Sequence, residues 1–307
     1  MSLSRKVKTA FDENRMLILG AQVLFGFQLQ DGFQEGFAEL PSYARSLNSL
    51  ALVLMALTIG LLIAPSMQHR IVEEGQDTVR LHGIAGLFAG IALLPLGISL
   101  GLDVYIVFEH VFNIDAAMIA GGSFCALALL LWFVVGFSLR FRLKVPAMCE
   151  KEEPTSLSTR IEHMLTEARV IVPGAQALLG FQLVVTFARA FEQLDAALKV
   201  VHVTALCFVT AAILLLMTPA ALHRIAFKGQ DVEAFLRLGS GFVLTAAFLL
   251  AVGLAADMEV AVAKATAEAG LAKIIALVSF IALVGLWYGL PLMLRYGRSA
   301  RSSAQGI

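Results

Sequence analysis

A shift of 154 residues lays the second half of this chain on the first. Ser2-Leu3-Ser4 falls on Ser156-Leu157-Ser158, Gly20-Ala21-Gln22 on Gly174-Ala175-Gln176, and Gly26-Phe27-Gln28-Leu29 on Gly180-Phe181-Gln182-Leu183. Pro65, His69-Arg70-Ile71 and Gly75-Gln76-Asp77 fall on Pro219, His223-Arg224-Ile225 and Gly229-Gln230-Asp231 without a gap. From 2 to 29, 13 of 28 aligned pairs are identical. Such a self-match constrains the architecture before any motif is read, because both copies are expected to build the same unit. It divides the chain into a first unit, 1–142, a linker, 143–155, and a second unit, 156–307. Pro146, Pro154 and the charged run Glu150-Lys151-Glu152-Glu153 stop a continuous helix in the linker.

Hydrophobic residues make up 59% of the chain, mean hydropathy is +0.82, and only 15% of residues are charged. A soluble domain carries about 25% charged residues, so the composition is that of an integral membrane protein. Net charge is zero, which gives no footing to a nucleic-acid partner. Cys125 and Cys207 lie in apolar runs and Cys149 in the linker, a spacing that suggests neither a disulfide framework nor a metal knuckle. Arg5, Lys6 and Lys8 are followed by Asp12 and Glu13, and no cleavage site follows an apolar core, so the opening segment does not read as a signal peptide.

Each unit holds four apolar stretches of bilayer-crossing length, about 20 residues as a helix. They fall near 16–37, 47–68, 81–102 and 116–139, then near 170–191, 200–221, 236–256 and 272–294, and none carries a charge in its central portion. The expected fold is therefore all-α, with eight transmembrane helices. Placing both termini in the cytoplasm leaves only Arg45, Arg189, Lys199, Lys264 and Lys273, of 23 basic residues, on the far side. Four spans is an even number, so the two four-helix repeats are parallel, related by an axis along the membrane normal. Each unit opens on an amphipathic piece: Leu3, Val7, Ala10 and Phe11, then Leu157, Ile161, Met164 and Leu165. Either these lie in the interface as separate helices or they extend the first span. Thr159 with Glu162 fits a capping box for the second.

Two motifs stand out. In the first span, Arg15, Gln22 and Gly26 share one helical stripe and Ala21, Leu24 and Gln28 another, with the same arrangement from Glu167 to Leu183. Gln22, Gln28, Gln176 and Gln182 are intramembrane polar groups that either hold the bundle together or line a polar path between the two first spans. The second motif ends the second span. Pro65 and Pro219 kink it, Gly75 and Gly229 suit a left-handed C′ position, and Asp77 and Asp231 suit the N-cap of the next helix; together they read as a hinge. Arg15, His69, Arg70, Arg169, His223 and Arg224 fall near the headgroups, where a His-Arg pair can meet lipid phosphate. His69 and His223, the only matched histidines, are also the candidates for a jointly held haem or metal, although cofactor sites in bundles usually project from mid-helix. Asp103 and Asp257 match at the outer ends of the third spans, as helix-ending residues or as a cation-attracting vestibule.

At these motifs the chain resembles a family of bacterial four-span membrane proteins of unknown function. The resemblance rests on Glu-x-Arg-x4-Gly-Ala-Gln-x-Leu-x-Gly-Phe-Gln-Leu at 13–29 and 167–183, and on Pro-x3-His-Arg at 65–70 and 219–224. It implies a tandem fusion of two such units in a bacterial inner membrane, with Gln30-Asp31-Gly32 departing from the family pattern in the first. Single-unit relatives would dimerise, and the fusion would place that dimer within one chain.

No Walker A loop, nucleophile elbow, H-E-x-x-H or dinucleotide fingerprint occurs, so no enzyme is expected. The absence of a mid-bilayer charge weighs against proton coupling. Three readings follow. The first is a scaffold or lipid-associating protein whose partners are membrane lipids, with self-association open and no protein partner indicated. The second is a channel or facilitator for a small solute or cation. The third is haem or metal binding through His69 and His223.

Overall fold

The computed structural model describes residues 3–135, 137, 138, 142, 154–228 and 230–305. Linker residues 143–153, with Cys149, and the hinge position Gly229 lie outside them. Every regular element among the described residues is helical.

The first unit comprises α1 (Leu3–Asp31), α2 (Ser42–Ile71), α3 (Val79–Val111) and α4 (Ile114–Leu129), the last running on through a π-turn, Leu130–Val135. The second comprises α5 (Leu157–Thr186), α6 (Ala196–Ile225), α7 (Glu233–Thr266) and α8 (Ala269–Val284). A π-turn, Gly285–Gly289, leads from α8 into α9 (Leu290–Gln305). Seven of these helical runs are long and apolar enough to cross a bilayer, the signature of a multi-pass membrane protein. α1 is not among the seven, since Gln22, Gln28, Gln30 and Asp31 dilute its apolar stretch.

The amphipathic openings are not separate interfacial helices. Leu3, Val7 and Phe11 are buried in α1, and Ile161 and Met164 in α5, each within one unbroken helix. Nor do Thr159 and Glu162 form the capping box: Ser156 is the N-cap of α5, its hydroxyl accepting from the Thr159 N–H at 3.3 Å. Glu162 turns instead to Lys8.

α1 and α5 lie side by side at the centre. Lys8 Nζ is 2.5 Å from Glu162 Oε1, the Phe27 and Phe181 ring centroids are 4.5 Å apart, and Arg189 Nη1 is 4.0 Å from Glu35 Oε1. Each pair is separated by the 154-residue offset itself. From Lys8 to Phe27 a helix rises about 28 Å, and equivalent residues meet at both points, so α1 and α5 run in the same direction. Around them α2 packs on α3 and α3 on α4, while α6 packs on α7 and α7 on α8. The core joins both units: Phe25, Met55 and Ile59 with Phe235, Leu250 and Trp287.

The match between units is incomplete. α2 also packs against α7, α8 and the π-turn after α8, whereas α3 and α4 make no comparable contact with α6. The indole N–H of Trp287 donates to the Gly60 carbonyl at 2.8 Å, and a side chain at Gly60 would meet Leu283. The residue matching Gly60 is Leu214, which is 63% exposed. The apolar window of α2 is consequently 72% buried and that of α6 33%.

Candidate functional site

The polar residues fall into three groups. The first is duplicated. Gln28 Nε2 donates to Ser99 Oγ at 2.8 Å and to both Asp103 oxygens at 2.9 Å; Gln182 Nε2 donates to Asp257 Oδ2 at 2.7 Å. Residues matched in α2 and α6 complete each set, Asn48 Nδ2 reaching the Gln28 carbonyl at 3.4 Å and His202 Nε2 the Gln182 carbonyl at 3.0 Å. Asp103 and Asp257 do not end their helices: α3 continues to Val111 and α7 to Thr266. Asp257 is fully buried, so helix termination in solvent is not its role. Gln182 Oε1 and Asp257 Oδ1 are buried acceptors without a hydrogen-bond partner.

The four glutamines do not share one path. Gln28 and Gln182 serve the third helix of their own unit. Gln22 is buried on α5 over Gly174, where any β-carbon would overlap its amide. Gln176, the match of Gln22, is exposed, and Gly20, the match of Gly174, has nothing within 4 Å. The motif glycines split likewise: Gly26 receives the Phe181 ring, Gly180 faces open space.

The second group is a buried ionic junction where the end of α2, the turn after it and the first turns of α5 converge. Glu167 of α5 is 1% exposed; its Oε1 lies 2.6 Å from His69 Nδ1 and its Oε2 2.5 Å from Arg70 Nε. Arg70 Nη1 donates to Ser240 Oγ of α7 at 2.8 Å. Asp77 does not cap α3. Thr78 does so, accepting from the Leu81 N–H, while the buried Asp77 carboxylate sits 3.2 Å from His163 Nδ1 and 3.9 Å from His69 Nε2. The turn itself is locked: Glu74 and Gly75 take φ of 51° and 80°, the left-handed region, and Gly75 N–H returns to the His69 carbonyl at 3.0 Å. Gly75 is thus left-handed as its type implies, but beyond C′, since α2 is capped at Val72. Thr155 clamps the turn, its hydroxyl accepting from the Asp77 N–H and its N–H donating to Gln76 Oε1, both at 2.8 Å. Pro65 lies inside the unbroken α2 and Pro219 inside α6.

The third group is the matching end of the second unit, and it is open. Arg169 and Arg224 are exposed, and His223 is 3.6 Å from Asp231 and stacked on Phe235. Asp231 is not a cap either; Val232 occupies that position. Lys228, matching Glu74, has φ of 50°, so this turn repeats the left-handed step of the first. Arg169, His223 and Arg224 border a half-open cavity of about 350 Å³ between α5 and α6, walled by Leu165, Val172, Pro173, Leu216 and Met217. Glu13, matching Glu167, is exposed, and among the described residues no ion pair joins it to Arg224.

His69 and His223 are therefore not joint ligands; each has its own carboxylate. Of the headgroup candidates, His69 and Arg70 are consumed by Glu167, Arg15 is half-buried on α1, and Arg169, His223 and Arg224 come together. Sequence reasoning missed His163, Glu167 and His202 as site residues. Glu167 stood inside the first-span motif, whereas His163 and His202 match Thr9 and Asn48, so self-matching discards them.

The profile of the family of unknown function DUF6328 matches residues 2–136 and again 151–291. The chain belongs to that family, matching it in two successive segments as a tandem repeat does. No curated protein and no solved structure matches it.

Proposed function

We propose that this DUF6328 chain is a non-enzymatic, scaffold-like protein of the bacterial inner membrane that associates with anionic lipid. In this reading eight helices cross the bilayer as two parallel four-helix repeats, with both termini in the cytoplasm. The three contacts between residues 154 apart support the parallel arrangement. α1, at 29 residues, has the length for an eighth crossing, about 44 Å.

The observation that carries lipid association is the open cavity bearing Arg169, His223 and Arg224 above apolar walls. Two guanidiniums with no ion-pair partner among the described residues match a lipid phosphate, for which Arg offers a fork of donors. The apolar wall below them matches the start of an acyl chain. Native mass spectrometry of the protein released from its own membrane tests this. The wild type is expected to retain an anionic phospholipid mass, and the Arg169→Gln/Arg224→Gln variant to lose it. Equal retention by both sinks the proposal.

A second reading, a conduit for a small solute or cation, is favoured by the duplicated Gln28–Asp103 and Gln182–Asp257 pairs. An ionisable residue within a membrane helix is costly and marks function more often than packing. Replacing Gln28 and Gln182 by Leu separates the two readings. A conduit stays folded and loses flux in liposomes; a scaffold loses stability with no flux to lose.

A further inference from the structure

The buried junction contains more than an ion pair. His69 of α2, His163 of α5 and Asp77 of the turn each offer one donor atom, all within 4.8 Å of one another. The three residues are 1%, 2% and 4% exposed, so water does not compete for them. Neither His69 Nε2 nor His163 Nδ1 makes a hydrogen bond of acceptable geometry.

The orientation of His69 is set from behind. Glu167 Oε1 lies 2.6 Å from its Nδ1, and a carboxylate at that distance accepts the Nδ1–H hydrogen bond, which keeps the proton on Nδ1. The lone pair is then on Nε2, which faces Asp77 and His163. A carboxylate holding the far nitrogen of a histidine is the usual second layer behind a metal-ligating imidazole. Glu167 is itself held by Arg70 at 2.5 Å, so the support continues one residue further.

The spacing also fits. Bonds of about 2.1 Å in a tetrahedron place neighbouring donors about 3.4 Å apart. His163 Nδ1 to Asp77 Oδ1 is 3.2 Å and His69 Nε2 to Asp77 Oδ1 is 3.9 Å. Two imidazoles and one carboxylate suit a borderline divalent ion and not calcium or magnesium, which prefer all-oxygen shells.

We infer that His69, His163 and Asp77 form a site for one divalent transition ion of the zinc class, clamping α2 of the first unit to α5 of the second. The site is single. At the matching end of the molecule His223 and Asp231 are present, but the position of His163 is taken by Thr9. The duplication thus preserves two ligands on each side and supplies the third on one.

The test uses the full chain in detergent, stripped with a chelator and titrated with Zn²⁺ against a competing indicator. One equivalent is expected to bind. His163→Thr, which installs the residue of the matching position, is expected to abolish that step, and Glu167→Gln to weaken it roughly 10–100-fold. His110→Ala, remote from the junction, is expected to change neither stoichiometry nor affinity. Because a junction variant can also fail to fold, Co²⁺ is added to the wild type in parallel. Ligand-field bands of a four- or five-coordinate nitrogen–oxygen site are expected, and Zn²⁺ should erase them. A wild type that binds no Zn²⁺ and gives no such bands, or a folded His163→Thr variant that binds as the wild type does, overturns the site.

Discussion

α2 and α6 carry the same ending, Pro-x3-His-Arg, at matching positions, yet one is a core helix and the other a flank. α2 is enclosed because Gly60 lets α8 close onto it, and the Gly60 carbonyl accepts the Trp287 indole hydrogen bond. α6 has Leu214 at that position, pointing outward. The same His-Arg dipeptide then meets opposite conditions. His69 and Arg70 are sealed against Glu167, while His223 and Arg224 border an open cavity. A duplicated motif therefore keeps its local geometry, including the left-handed step at Glu74 and Lys228, and loses its environment. What each copy can do depends on the neighbour supplied by the other unit.

The sharpest way to break this comparison is to remove the neighbour. Glu167→Ala leaves His69 and Arg70 buried without their acid, and breaking a buried ion pair costs about 3–5 kcal/mol. Its counterpart Glu13→Ala alters an exposed residue and is expected to stay within about 0.5 kcal/mol. Thermal unfolding in detergent reads both. Equal shifts would mean that the two ends are alike in solution, against the buried and open environments described above.

The next effect concerns the helix that closes on α2. Gly60→Leu places a branched side chain against Leu283 and Leu286 and should cost about 1–3 kcal/mol as overpacking. Gly60→Ala is milder, since the nearest atom is the end of a flexible leucine. Leu214→Gly, the reverse change on α6, removes only an outward side chain and should cost about 1 kcal/mol through backbone entropy. Trp287 fluorescence sharpens the result: the indole is fully buried, and Gly60→Leu should red-shift its emission while Leu214→Gly leaves it unchanged.

These contrasts explain what the sequence could and could not convey. Apolar length and the 154-residue self-match are local or periodic signals, and they place helices on all eight expected stretches. Gln28 with Asp103 and Gln182 with Asp257 are visible as matched residues, but the distance between them is not, and the helices overrun the apolar windows that made the aspartates look terminal. The junction is harder to read. Glu167 and Glu13 are identical in sequence, and only the asymmetric packing of α2 buries one of them. His163 gives no periodic signal, and its importance comes from a turn 86 residues away in the chain that brings Asp77 to it. Symmetry in sequence points to the shared scaffold, whereas this site arises where the symmetry fails.

The smallest expected effect probes where the symmetry holds. Lys8 meets Glu162 and Glu35 meets Arg189, each residue facing the one 154 positions away in the chain. In a dimer of identical units such positions would carry like charges; two unequal fused units place opposite charges there. Exposed pairs of this kind contribute little to stability, so a melting temperature will not register Lys8→Glu. A zero-length carbodiimide cross-link will, because an amide between Lys8 and Glu162 forms only when ammonium and carboxylate touch. The wild type should yield that linked peptide, Lys8→Glu should abolish it, and the swap Lys8→Glu/Glu162→Lys should restore it with the donors exchanged. A folded swap that does not cross-link would mean that α1 and α5 do not meet at this point. Restoration would show that the charge pattern acts on which unit pairs with which, a role in specificity that its small energy does not reveal.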